Sequence, residues 1–411
     1  MNDRRRTTTT TTTTSKHESS GCGFLFGFVF VVISIVLLFN NEGNAVRQYT
    51  SLQEGLSRVV EFDTSGKFEG QLVHMTGRLT TSDPSTRPIV MDAEFGIATR
   101  GVYLHRKVEM YQWEESRHDH EYTDDDGKKK TDTTYSYKKT WSDDAINSDN
   151  FHDLSFVNPA HWPYTSKKIA APSVYVRQHE VPAFLLDHIS TLKPVSLARD
   201  NLLQMASVVE LAIGSKQDIA DIPARRTMDI VDDKYVTRRT TKASTVGDLR
   251  VAFQVTPADS VSIVAKPVDG QLAAFRTKNG ESIALLEEGV VDANEMFARA
   301  QSNVTMMTWA FRVVGFVLAL IGFYILLQPA VDLAHLFVGV PLFGPLVVTL
   351  VSWSVDILSF LLALSTSLVV IAISWVFHRP LVAFGLLVIA ITPYFFVPVT
   401  KKPKTSLKSL E

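Results

Sequence analysis

Apolar residues gather in four runs, 24–39 near the N-terminus and 313–327, 357–377 and 381–399 towards the C-terminus. A run of about 20 apolar residues matches the roughly 30 Å hydrocarbon core of a bilayer. A segment in lipid must hydrogen-bond its own backbone, so each run predicts a spanning helix. Between the first and second runs the pattern changes. Val102, Leu104, Val108 and Met110 alternate with Tyr103, His105, Lys107 and Glu109, the period of two of a strand. Thr133, Tyr135, Tyr137 and Trp141 alternate again after the charged stretch 114–130, which carries the turn pair Asp126-Gly127. The pattern predicts an α+β membrane protein: four transmembrane helices plus a β-rich luminal domain between the first and second, with a long hairpin over 102–141.

Smaller elements follow from capping and turn residues. Ser51-Leu-Gln-Glu54 reads as a capping box opening a short helix through Val60. Residues 172–178 read as a strand, and 182–192 as a short helix with Pro182 near its first turn; 200–239 carry no decisive pattern. Strands at 249–256, 260–266, 271–278 and 282–286, separated by Pro257, Asp269-Gly270 and Asn279-Gly280, suggest a meander. Asp292-Ala-Asn-Glu295 caps a helix whose pattern continues through Trp309 into the second crossing.

Charge sets the side of the membrane. The head carries Arg4, Arg5, Arg6 and Lys16, and the tail Lys401, Lys402, Lys404 and Lys408. Cytoplasmic flanks collect Lys and Arg, so both ends are expected in the cytosol, which requires an even number of crossings. Residues 333–355 are apolar but interrupted by Pro341, Gly344 and Pro345; a fifth crossing there would carry the basic tail into the lumen. The expected order is a disordered Thr-rich head (1–20), a first crossing (21–40), the luminal domain (41–307) and a second crossing (308–328). A broken interfacial segment (329–355), crossings at 356–377 and 380–399 and a basic tail (400–411) complete it. The first run is long for a secretory h-region and ends in Asn40-Asn41-Glu42 without a small-residue cleavage pattern, so it reads as an uncleaved anchor.

With 41 Lys and Arg against 43 Asp and Glu, net charge −2 gives no basic surface for nucleic acid. The single cysteine, Cys22, abuts the first helix, leaving the luminal domain without disulfides; it reads as an interfacial thiol, palmitoylation being the functional alternative. No G-x-S-x-G, H-E-x-x-H, Walker or dinucleotide motif is present, and nothing calls for a cofactor. His118, His120, Asp124, Asp125 and Asp126 lack calcium-loop spacing and read as a solvated hairpin tip. Candidate helix-packing positions are Gly23 and Gly27, a small-xxx-small pair, and Ser365-Thr366-Ser367 within the third run. Trp309, Arg312, His378 and Arg379 are placed at the membrane interface, where aromatic and snorkelling side chains collect. The sequon Asn303-Val-Thr305 lies within the expected helix, close to the bilayer, and is expected to be unmodified.

Several stretches together resemble the transmembrane protein 43 family, also called LUMA. They are Asn41-Glu-Gly, Ser51-Leu-Gln-Glu-Gly-Leu, Val108-Glu-Met-Tyr-Gln-Trp-Glu114, Tyr135-Ser-Tyr and Asn147-Ser-Asp-Asn-Phe151, joined by Thr277-Lys-Asn-Gly280, Thr308-Trp-Ala-Phe-Arg312 and Trp375-Val-Phe-His-Arg-Pro-Leu381. The resemblance runs from about Asn41 to Pro398 and leaves out the Thr-rich head and the hairpin tip. It implies a four-pass protein of the endoplasmic reticulum and inner nuclear membrane, its large domain luminal or perinuclear. It also implies a non-enzymatic scaffold that self-associates and meets emerin-like or lamin-like partners where the organism has them. A lipid-handling or transport role for the bundle and the luminal sheet is the competing expectation.

Overall fold

The computed structural model describes residues 5–13, 20–63, 68, 70–123, 129–197, 227–237, 243–337, 343–378 and 380–381. Two compact units are present. One holds the sheets, Gly55–Arg276 and Ser282–Met296 together with the head; the other holds Glu18–Glu54, Thr277–Glu281 and the chain from Phe297 onward.

In the sheet unit, Tyr103–Thr123 and Lys129–Ser142 form the expected hairpin, in register from Met110 opposite Ser142 to Thr123 opposite Lys129. Its Asp126-Gly127 turn lies outside the described residues. The base of the hairpin pairs antiparallel with Leu249–Thr256, Tyr103 facing Thr256 and Met110 facing Leu249. Eight described strands make up this sheet. Its core is Leu104, Val108, Met110, Tyr235, Val251 and Phe253 around Phe95. Each such apolar side chain withdrawn from water contributes roughly 1.5–3 kcal/mol.

Ser260–Val268 runs through a second sheet, of seven described strands, between Val73–Arg78 and Leu285–Glu288. The expected meander is therefore corrected: 249–256 and 260–268 are consecutive in sequence but belong to different sheets. The reason is in the side chains. Val261, Ser262, Ile263, Val264 and Ala265 are buried on both faces of their strand, whereas Leu249–Val255 alternates buried with half-buried or exposed positions. Pro257, which has no N–H to extend a ladder, stands at the switch. The strand expected over 172–178 is shortened to Tyr175–Val176, because Arg177 and Gln178 turn the chain at positive φ (48° and 70°). The expected helix at 182–192 is one turn, α2 (Ala183–Leu186), with Pro182 at its N-cap.

The head departs from the expected disorder. Arg5–Thr13 forms a strand antiparallel to Lys129–Ser142, in keeping with the high strand propensity of β-branched threonine. This pairing has a topological consequence. It needs both sides of the 24–39 run on one face of a bilayer, whereas a single crossing by that run separates them.

The other unit is helical. Among the described residues, helix α1 (Ser20–Arg58) and two helices after α2, here α3 (Ala293–His335) and α4 (Gly344–His378), are long and apolar enough to cross a membrane. At 1.5 Å per residue the shortest, α4 with 35 residues, reaches about 52 Å. Helix α3 is unbroken from Ala293 through Trp309 into its apolar run, as the pattern of the sequence predicts, and Asp292 Oδ1 accepts the Asn294 N–H at its start (2.6 Å).

Two helix boundaries are corrected. No helix opens at Ser51, because α1 runs straight through; Asn40–Thr50 contain no proline to stop it. The segment 329–355 is not broken throughout: α3 continues past Pro329 to His335, and α4 is continuous from Gly344, with Pro345 in the first turn where its missing N–H costs nothing. Residues 338–342 and 382–399, with most of the expected fourth crossing, lie outside the described residues.

Candidate functional site

Three helix-borne side chains meet where the apolar runs end. Helix α1 leaves its run over Asn40, Asn41 and Glu42; α3 enters its own run after Arg312; and α4 presents Trp375 one turn before its end. Glu42 is 1% exposed. Arg312 grips its carboxylate with two nitrogens, Nε on Oε1 at 2.6 Å and Nη2 on Oε2 at 3.0 Å. The Trp375 indole N–H donates to Oε2 at 2.8 Å. A bidentate guanidinium–carboxylate pair fixes geometry as well as charge. One carboxylate thus joins α1, α3 and α4.

The helices are also brought close by small residues and hydroxyls. Ser34 Oγ donates to the Gly315 carbonyl (2.7 Å), Asn41 Nδ2 to the Thr308 carbonyl (3.0 Å), and Ser374 Oγ to the Phe39 carbonyl (3.1 Å). Gly27 and Gly322 abut so tightly that a Cβ on either would come within 2.8–2.9 Å of the other's carbonyl oxygen. Gly43 packs on His378, whose Nε2 would lie 2.7 Å from a Cβ there.

The expected positions therefore divide. Gly27 is committed to α3 of the same chain, whereas Gly23 makes only ordinary contact with Ile325. Ser367 is buried on the α4 stripe Val355, Ser359, Ala363, Ser367, Val370 and Ser374; Ser365 is exposed and Thr366 half-buried. Trp309 is exposed, and Arg312 turns to Glu42 with its guanidinium 4.6 Å from the Trp309 ring. His378 packs on Gly43 and the Phe39 ring (5.6 Å); Arg379 lies outside the described residues. Sequence reasoning missed Glu42 as a partner. Its only signal is a carboxylate directly after an apolar run that ends level with an arginine.

Further along α1, the Ser51–Glu54 stretch serves a different purpose from capping. Ser51 Oγ donates to Asn279 Oδ1 (2.7 Å) and lies 3.1 Å from Thr277 Oγ1. Asn279 Nδ2 donates to the Arg47 carbonyl (2.9 Å), and the Lys278 N–H to Glu54 Oε2 (3.1 Å). Gly280, at φ +90°, allows the 277–280 turn to present these groups to the helix. Between Tyr49, Thr308, Trp309, Arg312, Trp375 and His378 lies a cleft of about 880 Å³.

The sheet unit gathers a second cluster. The Tyr137 hydroxyl donates to Glu115 Oε2 (2.6 Å) and accepts from the Asp153 N–H (2.9 Å), while the His152 N–H donates to the same Glu115 oxygen (2.6 Å). Tyr135 stacks on His152 and Tyr137 on Phe156, each at 4.1 Å. Burial, then the bond to Glu115, pushes the Tyr137 phenol up to about 12, so it stays a neutral donor that straps the 147–158 segment onto the hairpin. Among the described residues no three His, Cys, Asp or Glu side chains converge as metal ligands.

The family model described as "Transmembrane protein 43" matches residues 110–380. The proteins named "Transmembrane protein 43" in Rattus norvegicus and Homo sapiens are each 31% identical over 406 residues, covering 95% of this chain and 92% of theirs. The "Transmembrane protein 43 homolog" of Drosophila melanogaster is 28% identical over 384 residues, covering 90% and 92%. No solved structure matches the chain.

Proposed function

The chain belongs to the transmembrane protein 43 family, and from that premise we propose that it is a non-enzymatic, multi-pass scaffold of the endoplasmic reticulum and inner nuclear membrane. It organises protein complexes there and supports the nuclear envelope. Both termini are cytosolic and the sheet-bearing domain is luminal or perinuclear. It associates with further copies of itself and with emerin-like or lamin-like membrane partners where the organism has them.

The observation that carries this reading is the fastening of α3. That helix is continuous from Ala293 to His335, and at the level where its apolar run begins Glu42 ties it to α1 and α4. Such a joint fixes three helices against one another, which a scaffold needs. It consumes its polar groups in structure and leaves no poised acid, base or nucleophile. The basic flanks support the orientation; the pairing of Arg5–Thr13 with the hairpin speaks against it. Protease protection of tags at both ends in sealed microsomes, with proximity labelling from the sheet domain, tests the proposal. Cytosolic tags and nuclear-envelope neighbours are expected; a protected N-terminal tag would overturn the topology.

A second reading, lipid handling, is favoured by the 880 Å³ cleft at the ends of the apolar runs, a volume within the range of small-molecule sites. Its test is mass spectrometry of the purified protein. A lipid retained by wild type and lost on Thr308→Trp would move the assignment to this reading.

A further inference from the structure

His74, on the strand Val73–Arg78, is 5% exposed, and both of its ring nitrogens face acceptors. Nδ1 lies 2.8 Å from each oxygen of the Glu61 carboxylate. Nε2 lies 2.9 Å from the carbonyl oxygen of Val291. A carboxylate and a carbonyl donate nothing. A neutral imidazole has one N–H, and only the protonated ring has two. The geometry is complete with an imidazolium; in the neutral ring one nitrogen lone pair is turned on an acceptor.

Val291 sits immediately before Asp292, the residue that caps α3. Its carbonyl is held by His74, and its N–H donates to Ser262 Oγ (2.8 Å), which in turn donates to the Gly289 carbonyl (3.1 Å) and lies 3.0 Å from Thr76 Oγ1. Side chains of two neighbouring strands therefore hold both polar atoms of the residue from which the long helix starts. Glu61 and Asp292 are charged neighbours of the ring. The Asp292 carboxyl is held below its usual range chiefly by the Asn294 N–H, with the His74 charge adding to this.

We propose that His74 is a protonation-dependent latch on the first turn of α3, closed when the ring carries both protons and loosened when it loses one. The Glu61 side chain is exposed on the outer side of the ring, giving the proton a route to water. Histidine is the side chain whose charge changes between about pH 5 and 8. Acidification of the compartment holding the domain thus tightens the root of α3, and alkalinisation releases it. The latch stands independently of the scaffold reading.

The experiment is amide hydrogen exchange of the full chain in phospholipid nanodiscs from pH 5.5 to 8.5, corrected for intrinsic rates and read over 290–297. In wild type, protection falls about tenfold as pH rises, the change expected for the loss of one hydrogen bond. His74→Gln, which cannot donate at both positions, abolishes the dependence. Glu61→Gln, an exposed change that leaves the ring in place, moves the transition to lower pH, since it removes the opposite charge. A flat wild-type profile, or a Glu61→Gln profile superimposable on wild type, overturns the latch even if His74→Gln fails to fold.

Discussion

Among the described residues each unit sets an arginine against a buried carboxylate, and the two pairs are built differently. In the sheets, Arg106 Nη1 meets Asp92 at 3.1 Å, both side chains 5% exposed or less, with Glu94 adding a second carboxylate. Asp92 also accepts the backbone N–H groups of Glu94 and Phe95; Arg106 donates to the Thr165 carbonyl and lies over the Phe95 ring. Burial still outweighs Arg106 and pushes the Asp92 carboxyl up. The two partners are 14 positions apart, and an apolar core surrounds them. Glu42 and Arg312 are 270 positions apart and sit between helices whose apolar faces gain nothing from leaving lipid for each other. In the sheets the ion pair is one support among many. In the bundle it helps set which helix faces meet.

The largest expected effect follows from that contrast. Glu42→Gln leaves Arg312 without its counter-charge and is expected to destabilise the bundle by about 3–5 kcal/mol, read as a lower melting temperature of the full chain in detergent. Asp92→Asn keeps its backbone donors and is expected to cost about 1–3 kcal/mol. Equal losses would erase the distinction between the two pairs.

A smaller effect separates two hydroxyls of α4. Ser367→Leu forces bulk onto the buried stripe and is expected to cost about 1–3 kcal/mol, with weaker co-purification of differently tagged copies. Ser365→Leu, on the exposed face, is expected to stay within about 0.5 kcal/mol of wild type. Equal behaviour of the two variants would remove Ser367 from the packing face.

The smallest effect concerns acid. The Arg250 guanidinium, bonded to Glu109 at 2.5 Å, holds that carboxyl below its usual range. A depressed carboxyl stabilises the fold above its unfolded value, about 4.3, and the contribution disappears as pH falls through the folded value. Arg250→Met is therefore expected to raise the acid midpoint of the sheet domain by a few tenths of a pH unit, read by tryptophan fluorescence. Asp92 works in the opposite sense, since its raised value makes its charge a cost at neutral pH. An unchanged midpoint would show that Glu109 does not contribute to the acid response.

What the sequence reveals is periodicity. The hairpin from Tyr103 to Ser142 and the unbroken helix from Ala293 are legible because alternation and capping are local signals. Ser51 has the local pattern of a cap, yet nothing before it stops α1, and its hydroxyl goes to a turn 228 positions away. Glu42 is visible only as a polar residue after an apolar run; its partners, Arg312 and Trp375, have no spacing relation to it. The split of 249–256 from 260–268 between two sheets depends on which strand is covered on both faces, a property of the assembled domain. The family resemblance found the stretches that carry the joints, including Asn41-Glu-Gly, Thr308–Arg312 and Trp375–Leu381, without showing that they touch.

Helix α3 also has a mechanical meaning. Between Ala293 and His335 there is no loop in which slack could collect. Tension applied at its first residue is carried along the hydrogen-bond ladder as an axial load, about 64 Å from end to end. The ladder lacks an N–H at Pro329, near the far end. Under strain the rod should yield there first, beyond the Glu42 joint.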